Sequence, residues 1–99
     1  MKIVYDHEIF YQQKYGGISS YFANLGLELL KKNADVNFVC PIYKNNNLNR
    51  LPKNIIYGKK ITYPSMINYL INKINVNLSN NHYNYLKPNI IHKTYFSKN

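Results

Sequence analysis

A short apolar strand that runs into two glycines and then an amphipathic helix restricts this chain more than any other feature. Lys2-Ile3-Val4-Tyr5-Asp6 sets three apolar residues in a row with an acid at the end, the pattern of a strand covered on both faces. A polar and aromatic connector runs from His7 to Gly17, and Tyr15-Gly16-Gly17-Ile18-Ser19-Ser20-Tyr21-Phe22 turns it into a helix. Ile18, Tyr21, Phe22, Leu25 and Leu29 recur at helical spacing between residues 18 and 32. A strand handed over to a helix in this way belongs to a parallel α/β sheet. Free backbone N–H groups and the positive helix end then sit at the strand's carboxyl tip, where such proteins hold anionic or polyhydroxylated ligands.

The rest of the chain continues the alternation. Lys31 and Lys32 suit the negative end of the helix, and Asn33 suits a stop. Gly26 inside the helix costs about 1 kcal/mol relative to Ala, which predicts close approach to the sheet. A second strand is expected at residues 35–40, ended by Pro41, and residues 44–53 read by composition as an Asn-rich surface loop. Residues 54–57 suggest a weak third strand, with Gly58 and two lysines after it. Pro64 fits the first turn of a second helix. Its stripe is Ile67, Leu70, Ile71, Ile74 and Leu78, and it is expected to fray or bend around Ser79 to His82. Lys87-Pro88-Asn89-Ile90-Ile91-His92 then reads as a turn into a short buried strand. The expected fold is a partial Rossmann-like parallel sheet of about four strands, in the order 3-2-1-4, with flanking helices. That order lays the last strand beside the first and leaves its outer edge unpaired. Residues 1–99 are therefore expected to be the opening portion of something larger.

Composition narrows the classes. The net charge of +9 and the pI near 9.7 invite a nucleic-acid or anionic-membrane reading. The basic residues are scattered, however, and all except Arg50 are lysine, which lacks the flat fork that grips phosphate bidentately. Cys40 ends an apolar run and is expected to be a buried reduced thiol. Three dispersed histidines and one cysteine offer no metal-ligand spacing. His82, in an Asn-rich stretch, is expected to be solvated. No stretch approaches the roughly 20 apolar residues of a membrane helix, so a cytoplasmic chain is expected, with a peripheral membrane position as the variant.

Two segments in register resemble a known family. Asp6-His7 with Gly16-Gly17-Ile18-Ser19-Ser20-Tyr21-Phe22, and Pro88-Asn89-Ile90-Ile91-His92-Lys93-Thr94-Tyr95-Phe96, are similar to the amino-terminal domain of glycosyltransferase family 4, the "glycosyl transferases group 1". These are retaining enzymes of the two-Rossmann-domain GT-B architecture. Departures are Ser20 for the family's Arg, Lys93 for its Glu and Asn89 for its Asp. The carboxy-terminal donor domain with its Glu motif has no counterpart in these residues.

The resemblance implies transfer of a sugar from a nucleotide-sugar donor to a hydroxyl of a glycan or lipid-linked acceptor. The nucleotide-diphosphate sugar would be a substrate, with no cofactor and no metal implied. Gly16, Gly17, Ile18 and Ser19 would face the donor diphosphate, with Asp6, His7, Tyr15 and His92 on the acceptor side. The leaving diphosphate itself would take the acceptor proton, so no catalytic side chain is assigned. A second chain carrying the donor domain is an implied partner, and the 99 residues alone are expected to be inactive.

Quieter readings stand beside these. The two glycines would serve a turn of positive φ, Asp6 would cap the connector, and His92 would bond backbone. Tyr21 and Phe22 read as core, and Tyr15 as a stacking platform. The competing functions are a small basic module for nucleic acid or anionic membrane, and an inactive truncated reading frame.

Overall fold

Residues 2–12 and 14–94 are described by a computed structural model. β1 (Lys2–Tyr5) forms where Val4 and Tyr5 are buried in the middle of the sheet. The expected connector contains a short helix, α1 (Glu8–Gln12), because Ile9, Phe10 and Tyr11 all find the core and Asp6 Oδ1 accepts the Glu8 N–H. α2 (Gly17–Lys31) follows and ends on Asn33 at φ 62°, the left-handed stop foreseen for it. A β-carbon on Gly26 would stand 2.6 Å from the Phe38 ring, so the helix does approach the sheet at its glycine.

β2 (Asp35–Tyr43) does not end at Pro41 but runs through it. The register against β3 (Ile56–Lys60) shifts between Val39 and Ile42, and a bulge there asks no ladder bond of the proline nitrogen. β3 is displaced from the expected residues 54–57, and takes in Gly58 and both lysines. Gly58 sits at φ 143°, where a β-carbon would meet the Cys40 carbonyl at 1.7 Å. Pro64 precedes a 3-10 turn (Ser65–Ile67), and α3 (Asn68–Leu86) starts after it and continues without the expected break at Ser79 to His82. β4 (Ile90–His92) completes a four-stranded, all-parallel sheet in the order β3-β2-β1-β4. That is the predicted α/β Rossmann-like arrangement. Among its described surroundings, β4 is exposed along its whole length and is not the buried strand expected.

Two further expectations hold only in part: Phe22, Leu25 and Leu29 of α2 and Ile67 and Ile71 of the second stripe pack against the core as expected. Ile18 and Tyr21 of the α2 stripe are exposed, and the buried positions are Ser19, Ala23 and Gly26. On α3 the buried positions are Ile71, Asn75 and Ser79, while Leu70, Ile74 and Leu78 are exposed. The helix is thus rotated so that a polar flank faces the sheet. Asn75 explains the choice, because its carboxamide accepts from the Ile42 N–H at 2.7 Å and donates to the Ile42 carbonyl at 2.9 Å. The β1–β2 pairing ends at Tyr5 and Phe38, so β1 supplies no partner as far along β2 as Ile42, and buried backbone groups need partners. The core itself is aromatic: Phe38 stacks on Tyr5 at 4.9 Å and takes the edge of Phe10 at 5.7 Å. Burial of each such ring stabilises the fold by about 1.5–3 kcal/mol.

Candidate functional site at the carboxyl end of the sheet

The glycine loop owes its shape to the Asn-rich segment, in which Lys44, Asn45, Asn47 and Leu48 are buried while Asn49, Arg50, Pro52 and Lys53 keep the expected surface position. Asn45 Oδ1 accepts the Asn47 N–H at 2.8 Å, an Asx turn that opens the 3-10 turn Asn47–Arg50. The Asn46 N–H donates to the Lys14 carbonyl at 2.8 Å, and Asn46 Oδ1 accepts from the Lys60 ammonium. Asn47 Nδ2 donates to Ser19 Oγ at 2.8 Å and to the Gly16 carbonyl at 3.3 Å. Ser19 Oγ in turn donates to the Gly16 carbonyl at 3.0 Å. Arg50 bridges Ser20 Oγ, Asn24 Oδ1 and Asn47 Oδ1. The start of α2 is therefore bolted down from outside, by residues that composition assigned to a loop.

What this lattice leaves open is the backbone. Gly16 makes no side-chain cap, and the first bond into the helix runs from the Ser20 N–H to the Gly16 carbonyl at 3.0 Å. Among the described residues, no acceptor meets the amides of Gly17, Ile18 and Ser19, the orphan donors of a helix start. Neither glycine is required by its own conformation. Gly16 has φ 168°, extended backbone that any residue adopts, and a β-carbon on Gly17 would meet nothing within 4 Å. The positive-φ turn expected as the quieter reading is absent here; Gly58 is the glycine that carries positive φ.

The acceptor-side candidates divide. Tyr15 is exposed, as are Gly17 and Ile18, and His92 joins them at the exit of β4. The His92 ring stacks on Tyr5 at 5.0 Å and meets Phe22 edge-on at 5.7 Å, which ties it to the first turns of α2. Asp6 and His7 are buried behind this rim. Asp6 Oδ1 accepts from the Thr94 N–H at 2.9 Å, from Thr94 Oγ1 at 2.7 Å and from the Glu8 N–H at 3.2 Å. Thr94 Oγ1 accepts from the Ile9 N–H at 3.0 Å, so Asp6 clamps the exits of β1 and β4 together. Cys40, fully buried, has its thiol pushed well up by burial and the neighbouring Asp6.

His7 is less completely engaged. Its Nε2–H donates to Asn72 Oδ1 at 2.9 Å. Nδ1 is buried without a partner among the described residues. Asn72 also lines a cleft of about 440 Å³ with Tyr69, Lys73 and Val76, so His7 stands behind the wall of that cleft.

α3 supplies contacts that its apolar pattern concealed. Asn68, Asn72 and Asn75 lie at helical spacing and serve Lys44, His7 and Ile42 in turn. That polar periodicity was the available signal. His82, expected in solvent, stacks on Tyr57 at 3.7 Å, and burial lowers its proton affinity. Tyr95 and Phe96 of the second resembling segment lie outside the described residues.

The described residues contain no group of three His, Cys, Asp or Glu able to hold a metal ion. No described helix is long and apolar enough to cross a membrane. The rim thus offers backbone N–H donors and two aromatic faces, an inventory suited to binding an anion and hydroxyl groups. No family model matches this chain, and no curated protein or solved structure was found to resemble it.

Proposed function

We propose that this chain is the acceptor-side, amino-terminal part of a retaining glycosyltransferase that uses a nucleotide-sugar donor. One observation supports this reading above the others: Gly16 and Gly17 are free of any conformational need for glycine, yet they border three unpartnered amides. A glycine with empty space at its β-carbon lets a ligand approach the backbone closely. The donor diphosphate would lie against the amides of Gly17 and Ile18, stabilised by them and by the helix end. The bond from the sugar's anomeric carbon to the diphosphate breaks, and a bond to the acceptor oxygen forms on the same face. The acceptor proton passes to the departing diphosphate, so the protein contributes positioning and electrostatics. Tyr15 and His92 would flank the acceptor.

A donor-binding wall is needed opposite the glycine rim, from a second chain or domain, and the 99 residues alone are expected to transfer no sugar. Titration with nucleoside diphosphates, followed by the amide resonances of residues 16–19, tests the reading. Saturable shifts centred on Gly17 and Ile18 are expected. Shifts scattered over the lysines instead would favour the basic-module reading, as would retention on a polyanion that falls steeply with salt.

A further inference from the structure

Lys44, the residue that follows β2, turns its side chain inward and is 5% exposed. Its ammonium donates to Asn68 Oδ1 at 3.2 Å and to Ser65 Oγ at 3.4 Å, and lies 4.7 Å from the centre of the Tyr63 ring. Among the described residues, two neutral oxygens and an aromatic face are all it has. Among the described residues no carboxylate reaches it. Asp6 is engaged by Thr94, Glu28 pairs with Lys31 at 3.4 Å, and Asp35 begins β2 at the far end of the sheet. The charge beside Lys44 is another cation, Lys14, on a loop fixed by the Asn46 N–H. A buried charge is ordinarily paired, and among the described residues this one is paired with nothing of opposite sign.

We propose that Lys44, assisted by Lys14, forms an anion-binding position that takes a phosphate or carboxylate group of a molecule bound at the carboxyl end of the sheet. Read with the transferase proposal, on which this part rests, that molecule is the acceptor, and the acceptor is an anionic one. Anion capture itself does not depend on the transferase reading. Access needs little rearrangement. Ser65 and Lys14 are exposed, and the Ser65 bond is the longest Lys44 makes. An incoming oxyanion displaces that hydroxyl and gains a charge-assisted bond in a poorly solvated place. Burial and the nearby Lys14 already lower the proton affinity of Lys44, and a bound anion relieves both effects.

Inorganic phosphate and acetate are each titrated into the 99-residue chain, following the side-chain resonances of Lys44 and the melting temperature. Vesicles of phosphatidylglycerol form a third arm. A saturable shift of Lys44 with one soluble ion, and a matching rise in melting temperature, is expected, and the tighter ion names the group. Lys44→Met should melt no lower than the parent and weaken that ion about tenfold or more. Lys14→Met, at an exposed position, should weaken it about two- to fivefold. A Lys44 signal indifferent to both soluble ions, or a response to vesicles alone, overturns the proposal. If Lys44 responds while nucleoside diphosphates leave residues 16–19 unmoved, the anion position stands without the transferase. The reverse pattern removes the anion position and keeps the transferase.

Discussion

Gly17 and Gly26 occupy the same helix and should respond oppositely to the same substitution. Gly17→Ala fills empty space and replaces the poorest helix former short of proline, so it should stabilise the free chain by about 0.5–1 kcal/mol. If the donor diphosphate lies on the amides there, the variant also loses nucleoside diphosphate binding. Gly26→Ala drives a methyl against the Phe38 ring at 2.6 Å and should cost about 1–3 kcal/mol by urea unfolding. Equal effects at the two sites would contradict this contrast. Thr94 offers a second test of the same kind. Thr94→Val keeps the shape but strips Asp6 Oδ1 of its 2.7 Å bond and the Ile9 N–H of its acceptor. A loss of about 1–3 kcal/mol is expected, and a change within about 0.5 kcal/mol would mean the clamp is ornamental. The acid at the strand end was legible in the sequence; its partner, 88 residues away, was not.

At the scale of elements, α2 and α3 were announced by their apolar spacing while α1 was hidden in a polar connector, and spacing misjudged which face of α3 turns inward. Leu70, Ile74 and Leu78 form the obvious stripe and stay exposed, while Asn75 and Ser79 are buried. The cause lies in another element, since β2 runs on past the end of its pairing with β1 and presents an Ile42 N–H and carbonyl that an apolar helix face would leave unpaired. Asn75→Leu should therefore cost about 2 kcal/mol or more despite raising apolarity, with faster amide exchange at Ile42. Leu70→Ala should stay within about 0.5 kcal/mol of the parent, as exposed substitutions do. An Asn75→Leu variant as stable as the parent would refute the account of the rotation. The Asn-rich segment repeats the lesson. Asn45, Asn46 and Asn47 look like one compositional bias, and each makes a different bond.

For the whole molecule, tyrosine burial sets the response to alkali. Tyr5, Tyr11, Tyr43, Tyr63 and Tyr83 all have their hydroxyls raised above the ordinary value of 10.0, chiefly by burial. A raised folded-state value means that stability is complete below pH 10 and is lost as the pH climbs through the folded-state values. Lys44 is lowered from 10.5 and contributes with the opposite sign, favouring the fold as pH rises through its lowered value. One group does not offset five, so unfolding is expected above about pH 10, with a block of tyrosinate absorbance appearing together with loss of helical signal. Tyrosinate forming smoothly ahead of unfolding would contradict it. The alternation of strands and helices follows from apolar periods and turn residues that neighbours along the chain can specify, and the 3-2-1-4 order is the usual arrangement of such an alternation. Which polar groups meet at the carboxyl end is another matter. Lys44 reaches Asn68, His7 reaches Asn72 and Asp6 reaches Thr94 because the sheet brings distant segments together. Local pattern encodes which face of an element is apolar; the pairing of buried polar groups is decided when the strands are laid side by side and every donor must find its acceptor.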